Sequence, residues 1–199
     1  AAGSYPVTVS VADGTTAVST SFTWTVGVPP AAPVVTKPTD QASAENGAVS
    51  LQIQASDTNG DSLTYSAAGL PAGLAINSGT GLISGTIPYC AAGTYPVTVT
   101  VRDGGNLSDS ASFIWTVATS NVAPSVTKPA NPTTNLNSSA SLQIQASDLN
   151  CGDSITFSAV GLPTGLALNA DTGLISGTAT VAGTYTVTVT VGDGTTTAS

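Results

Sequence analysis

The 199-residue chain contains no histidine, and it carries 3 Lys and Arg residues against 11 Asp and Glu residues. Without histidine, the chain can form neither a Ser-His-Asp nor a Cys-His catalytic group. Nucleic acids and anionic membrane surfaces bind clusters of basic residues, so a net charge of -8 excludes both as partners. No apolar run reaches the roughly 18 residues that a membrane crossing needs. We therefore expect a protein that is not an enzyme, binds no nucleic acid and inserts no part of this segment into a membrane.

Long helical patterns are also missing, and the sequence instead repeats itself. The segment Ala1–Gly14, AAGSYPVTVSVADG, returns as AAGTYPVTVTVRDG from Ala91 and as VAGTYTVTVTVGDG from Val181. Gly3 and its two counterparts are therefore spaced about 90 residues apart. This spacing is the size of a whole β-sandwich domain rather than of one solenoid turn.

Within each repeat, apolar and polar residues alternate with the period of half-buried strands. Turn residues such as Asn59-Gly60 separate these runs. We predict an all-β fold of tandem immunoglobulin-like, cadherin-like β-sandwich repeats, each with about seven strands, which we letter A to G in chain order. In the middle repeat, strand A is expected near 34–36, B at Leu51, C at Leu63, D and E between Leu74 and Thr86, F at Tyr95 and G at Phe113. Trp24 and Trp115 alternate in phase with their apolar neighbours, so both are expected in a sandwich core rather than on a sugar-binding surface.

Short proline-bearing links divide the chain into three parts. Residues 1–28 are expected to be the F and G strands of a first repeat, which we call the first fragment. Residues 31–118 form a complete middle repeat, and residues 122–199 form a third repeat that lacks its last strand. A second copy's first fragment could complete the third repeat, but it would bring a surplus F strand. We therefore expect a window on a longer tandem chain.

The motifs DTNGDSLTY from Asp57, GLPAGL from Gly69, TGLISGT from Thr80 and VTVRDG from Val99 together resemble one family. This family comprises the bacterial and archaeal putative-Ig repeats of the dystroglycan-type, cadherin-like kind. The resemblance implies tandem surface repeats that serve adhesion or assembly and often bind calcium at domain junctions. It does not imply an enzyme.

Acidic residues recur in the B–C and F–G loops, which lie at the same end of a sandwich. Calcium takes six to eight oxygen ligands, often from closely spaced Asp and Asn residues. The alternative is that these residues only stabilise turns. We favour calcium, with linker carbonyl groups completing its shell. The expected ligands are Asp57, Asn59, Asp61 and Asp103 in the middle repeat, and Asp148, Asn150, Asp153, Asp193 and the linker residue Asn121 at the third repeat.

The two cysteines sit at insertions that distinguish the repeats. We call the end of a repeat where the chain enters it the upper end, and the end where the chain leaves it the lower end. Cys90 lies in an E–F loop at the lower end of the middle repeat, and Cys151 lies in the B–C loop at the upper end of the third. We predict a Cys90–Cys151 disulfide across the junction, which fits an oxidising exterior. Free thiols and bonds between chains are the alternatives.

Two functional hypotheses follow. The first is a structural extracellular fibre or cell-surface stalk, whose partners are neighbouring repeats or copies in a homopolymer or long tandem chain. The second is an adhesin or glycan-binding surface module that contacts surface glycans. The repeats differ mainly at the cysteine insertions and in the A–B loop, which favours the first.

Overall fold

A computed structural model describes all residues from Ala1 to Ser199, and every regular element in it is a β-strand. The structure contains no helix with the length and apolar character that a bilayer crossing requires. The strands are β1 (Gly3–Ala12), β2 (Ala17–Val26), β3 (Val34–Val35), β4 (Gln41–Ala44), β5 (Ala48–Gln52), β6 (Ala55–Ser56), β7 (Thr64–Ala68), β8 (Leu74–Ile76), β9 (Leu82–Thr86), β10 (Gly93–Arg102), β11 (Ser108–Ala118), β12 (Ser125–Thr127), β13 (Ser139–Gln143), β14 (Gln145–Ser147), β15 (Thr156–Val160), β16 (Leu166–Leu168), β17 (Leu174–Thr178), β18 (Thr188–Gly192) and β19 (Thr197–Ala198).

The middle repeat is a two-sheet sandwich, as the alternating pattern predicted. One layer contains β5–β9–β8 and the short pair β3–β6, and the other contains β4–β11–β10–β7. Alternate residues of the long hairpin β10–β11 point inward, so Trp115 is 1% exposed and its neighbours Phe113 and Val117 are also buried. The indole Nε1–H of Trp115 donates to Ser43 Oγ at 3.1 Å, which satisfies its one polar group inside the core.

Strand A is more complex than the sequence pattern predicted. The first part, β3, pairs with β6, and a second part, β4, crosses to the other sheet and runs parallel to β11. Asp40 secures this crossing because its Oδ1 accepts the backbone N–H of Ile114 at 2.8 Å. The residues of β4 are Gln, Ala, Ser and Ala, so they carry no large apolar alternation that would have predicted a strand.

The third repeat reproduces most of this arrangement. Its sheets are β12–β14, β13–β17–β16 and β15–β18–β19, and β15 pairs with β18 as β7 pairs with β10 in the middle repeat. Residues 119–124 connect the middle repeat to the third and form the second linker. Residues 27–33 connect the first fragment to the middle repeat and form the first linker.

The first fragment is a two-stranded hairpin, β1–β2. Its register pairs Tyr5 with Trp24, just as β10–β11 pairs Tyr95 with Trp115. Trp24 is nevertheless 61% exposed, so the prediction that it lies in a core was wrong for this chain. The physical reason is that residues 1–199 supply no second sheet to cover the apolar face of this hairpin.

Candidate cation site at the repeat junctions

Three carboxylates of the middle repeat come together at its upper end. Asp57 follows β6, Asp61 precedes β7, and Asp103 follows β10, so the B–C and F–G loops bring them to one place. One oxygen from each of the three side chains lies within 4.8 Å of the others. Asp103 is buried, whereas Asp61 is exposed. The cluster therefore has a fixed, enclosed side and an open side.

The third repeat has the same arrangement at the second linker. Asp148, Asp153 and Asp193 each place one carboxylate oxygen within 4.8 Å of the others. Cys151 is inserted in this B–C loop, yet the cluster forms as it does in the middle repeat. The geometry thus recurs at both junctions.

The first aspartate of each cluster holds its loop with one oxygen and leaves the other oxygen without a partner. Asp57 Oδ1 accepts the backbone N–H groups of Asn59 at 2.7 Å and Asp61 at 3.2 Å, and Asp148 Oδ1 accepts that of Asn150 at 2.6 Å. The Oδ2 atoms of Asp57 and Asp148 are buried and have no hydrogen-bond donor. A buried oxygen without a donor is energetically costly, so this arrangement fits a bound cation.

The F–G aspartates of the two clusters have different surroundings. Asp103 Oδ1 accepts the backbone N–H of Leu107 at 2.8 Å. Asp193 accepts more bonds, from the backbone N–H and hydroxyl of Thr196 at 2.6 and 2.7 Å and from Asn121 Nδ2 at 3.0 Å. The backbone bond from Thr196 is the main reason that the pKa of Asp193 lies well below its ordinary value. This carboxylate therefore stays ionised to a lower pH than an ordinary aspartate does.

The lowered pKa of Asp193 predicts how stability depends on pH. A carboxylate whose pKa falls on folding stabilises the fold above its unfolded value of about 4, and this contribution is lost as the pH falls further. We expect the free energy of unfolding to decrease between pH 5 and pH 2 by more in the parent chain than in Asp193→Asn. Chemical denaturation across this range measures the difference. Equal pH dependence in both proteins contradicts the prediction.

The side chains of three predicted ligands contact other groups at the linkers. Asn59 Oδ1 accepts the N–H of Ala31, and its Nδ2 donates to Pro29 O, both at 2.9 Å. Asn150 makes the corresponding bonds to the second linker at 2.7 Å, accepting from Val122 and donating to the Ser120 carbonyl. The third, Asn121, contacts the F–G loop. The structure therefore brings the six predicted carboxylates together as two clusters of three. The amides of Asn59 and Asn150 bind the linker backbone, and the amide of Asn121 binds the F–G loop.

The predicted Cys90–Cys151 disulfide is confirmed, and it joins the middle and third repeats at the second linker. Beside it, an open cavity of about 520 Å³ is lined by residues of both repeats. Because the bridge joins two domains, it restrains their relative movement.

Sequence analysis gave no role to Glu45, which it identified only as part of the A–B loop that differs between the repeats; in the structure Glu45 is a buried carboxylate at the C-terminal end of the middle repeat. Its Oε1 accepts the N–H of Ala92 at 2.8 Å, and its Oε2 accepts the N–H of Ser120 at 3.2 Å. The position corresponds to Leu136 in the third repeat, because Asn46 and Asn137 follow with the same positive φ. A charged residue at a position where the other repeat has a leucine is the sequence feature that could have indicated a role for Glu45.

The chain is similar over part of its length to known proteins. The serine-rich adhesin for platelets of Staphylococcus aureus is 32% identical over 139 residues, which cover 70% of this chain and 10% of that protein. The chain thus spans about a tenth or less of the curated relatives it matches. Mouse cadherin-23 repeats 22–24 are 21% identical with a TM-score of 0.45, covering 95% of this chain and 69% of that one. The first five domains of protocadherin gamma B2 are 17% identical with a TM-score of 0.47, covering 96% and 42%.

The resemblance seen in the sequence motifs is confirmed at the level of the family. The family described as Putative Ig domain matches residues 32–118 and again residues 123–199, which together make up most of the chain. These two matches contain the sandwich strands, both carboxylate clusters and the disulfide. The chain belongs to the Putative Ig domain family.

Proposed function

We propose that this chain is a structural segment of an extracellular or cell-surface protein, in which calcium and a disulfide hold tandem Ig-like repeats in line. The observation that carries the proposal is the pair of equivalent carboxylate clusters at the junctions, each with one buried, unpartnered oxygen. We further propose the domain division 1–28, 31–118 and 122–199. The partners of this chain are neighbouring repeats, in the same polypeptide or in other copies of it.

Electrostatics favours a cation within each cluster. Two unit negative charges no more than 4.8 Å apart repel by at least about 1 kcal/mol in water and by at least about 3 kcal/mol at an effective dielectric constant of 20. Each cluster contains three such pairs, and Asp103 is buried, which weakens the screening by water. A divalent cation offsets this repulsion, whereas turn stabilisation alone leaves it in place.

The donor atoms at the clusters favour calcium over a transition metal. They are all carboxylate oxygens, and the chain has no histidine and no free cysteine. Calcium prefers oxygen ligands and accepts flexible geometry, which suits loop carboxylates of mixed exposure. Asp57, Asp61 and Asp103 would hold it in the middle repeat, and their counterparts would hold it in the third. Bound there, calcium would tie the B–C loop to the F–G loop directly beneath the linker.

Calcium titration of the chain tests the proposal. We expect saturable binding at two sites by isothermal titration calorimetry, and a loss of at least tenfold in affinity at one site in Asp61→Asn, because a charged ligand is removed. The matched control is Asp171→Asn, which removes one exposed carboxylate outside both clusters and should bind as the parent does. Absence of binding at millimolar calcium would overturn the calcium proposal.

An adhesive or glycan-binding surface module is the second candidate function, and the 32% identity to the serine-rich adhesin for platelets of Staphylococcus aureus favours it. A glycan array probed with the parent chain tests the glycan-binding form of this function. Saturable binding to a defined glycan would support recognition, and an empty array would favour the structural role.

A further inference from the structure

We infer that Asn59 and Asn150 are linker clamps, which fix the path of the chain between repeats without any cation. Each side-chain amide makes two hydrogen bonds to the backbone of the linker that enters its own repeat. This inference is independent of the calcium proposal, because every contact that carries it lies between protein atoms.

The two clamps have the same design. The carbonyl acceptor lies 30 residues before the asparagine and the N–H donor lies 28 residues before it, in both cases. One linker residue therefore sits between the two bonds, Pro30 in the first linker and Asn121 in the second. An asparagine amide can bind in this way because it offers both an acceptor and a donor, whereas an aspartate offers acceptors alone.

Each asparagine is itself held in place by its cluster. The backbone N–H of Asn59 donates to Asp57 Oδ1, and that of Asn150 donates to Asp148 Oδ1. The turn thus fixes the backbone position from which each amide reaches the linker. The side-chain oxygen of each asparagine is occupied by a linker N–H, which supports a positioning role.

At the second linker, side chains of both repeats bind the same linker residue, Ser120. The N–H of Ser120 donates to Glu45 of the middle repeat, and its carbonyl accepts from Asn150 of the third repeat. Ser120 follows β11 by two residues and precedes β12 by five, so it has no strand partner of its own. Two buried or partly buried side chains from different domains therefore hold a single linker residue.

The test uses the full chain with Cys90→Ser and Cys151→Ser, so that the disulfide cannot mask the clamp, in EDTA. Asn150→Ala is compared with Asn169→Ala, a matched control whose side-chain oxygen accepts the N–H groups of its own turn, Asp171 and Thr172, and no N–H of the linker. We expect residual dipolar couplings in the parent and the control to be partly averaged but still to report a preferred alignment of the two repeats, because the asparagine contacts remain when calcium and the disulfide are absent. Asn150→Ala should give separate alignments, together with about a tenfold rise in elastase cleavage within residues 118–124, because two hydrogen bonds of ordinary strength are lost.

A second variant tests the contacts to Ser120 from the side of the middle repeat. Glu45→Ala removes the acceptor for Ser120 N–H and should also separate the alignments, even if Asn150→Ala disturbs its own loop. Parent-like alignment and cleavage in both variants would overturn the inference. Because calcium is absent throughout, failure of the calcium proposal leaves this result unaffected.

Discussion

Replacement of Trp115 by alanine is expected to lower the free energy of unfolding of the middle repeat by about 3–5 kcal/mol. The indole is 1% exposed, and it packs with Phe113, whose ring centroid lies 6.1 Å away. Truncation leaves a large cavity between the two sheets and leaves Ser43 Oγ without its indole donor. Urea denaturation followed by circular dichroism measures the change.

The chain supplies a matched control for this substitution. Trp24 occupies the same position in the hairpin β1–β2 and faces a phenylalanine in the same tilted arrangement, but it is 61% exposed. Trp24→Ala should change the stability of the middle repeat by less than about 0.5 kcal/mol, because a surface substitution opens no cavity there. Equal effects of the two substitutions would show that Trp115 does not anchor the core.

Removal of the junction disulfide is expected to cost a similar amount. The bridge closes a loop of 61 residues in the unfolded chain, for which the chain-entropy relation gives about 4 kcal/mol at 25 °C. In a chain of this size, that loss corresponds to a fall of about 10 °C in the melting temperature. Differential scanning calorimetry of the Cys90→Ser, Cys151→Ser double variant measures it.

Reductant provides the control for the disulfide prediction. Dithiothreitol should lower the melting temperature of the parent to that of the double variant, and it should leave the double variant unchanged. If the parent melts at the same temperature with and without reductant, the bridge does not stabilise the joined repeats.

The sequence predicted the burial of Trp115 and the pairing of the two cysteines, but it did not predict the exposure of Trp24. The alternation around Trp115 predicted a core strand. Cys90 was assigned to the C-terminal end of the middle repeat and Cys151 to the N-terminal end of the third, and their meeting at one junction predicted the pairing. The same alternation failed for Trp24, because burial needs an opposing sheet and residues 1–28 supply only the F and G strands of a repeat. Strand β4 was missed for a related reason: small residues pair with β11 through their backbone and leave no apolar pattern.

The candidate site was likewise predicted only in part from the sequence. The spacing of Asp57 and Asp61, and the recurrence of Asp103, indicated that carboxylates from two loops share one end of the sandwich. Nothing in the spacing showed that Asn59 reaches the linker, because that contact depends on the direction in which the chain enters the repeat. The role of Glu45 also depends on the path of the linker, because its Oε2 accepts the N–H of Ser120.

The sequence by itself determined the repeat length, the all-β sandwich, the positions of the acidic loops and the two cysteines, since these follow from local periodicity and from internal repetition. Only the tertiary structure decided which oxygen of Asp57 and Asp148 lacks a partner, which backbone groups the asparagines hold, and which tryptophan is covered. Those properties arise from contacts between residues distant in the chain, and their energies depend on burial and direction, which a linear pattern does not specify.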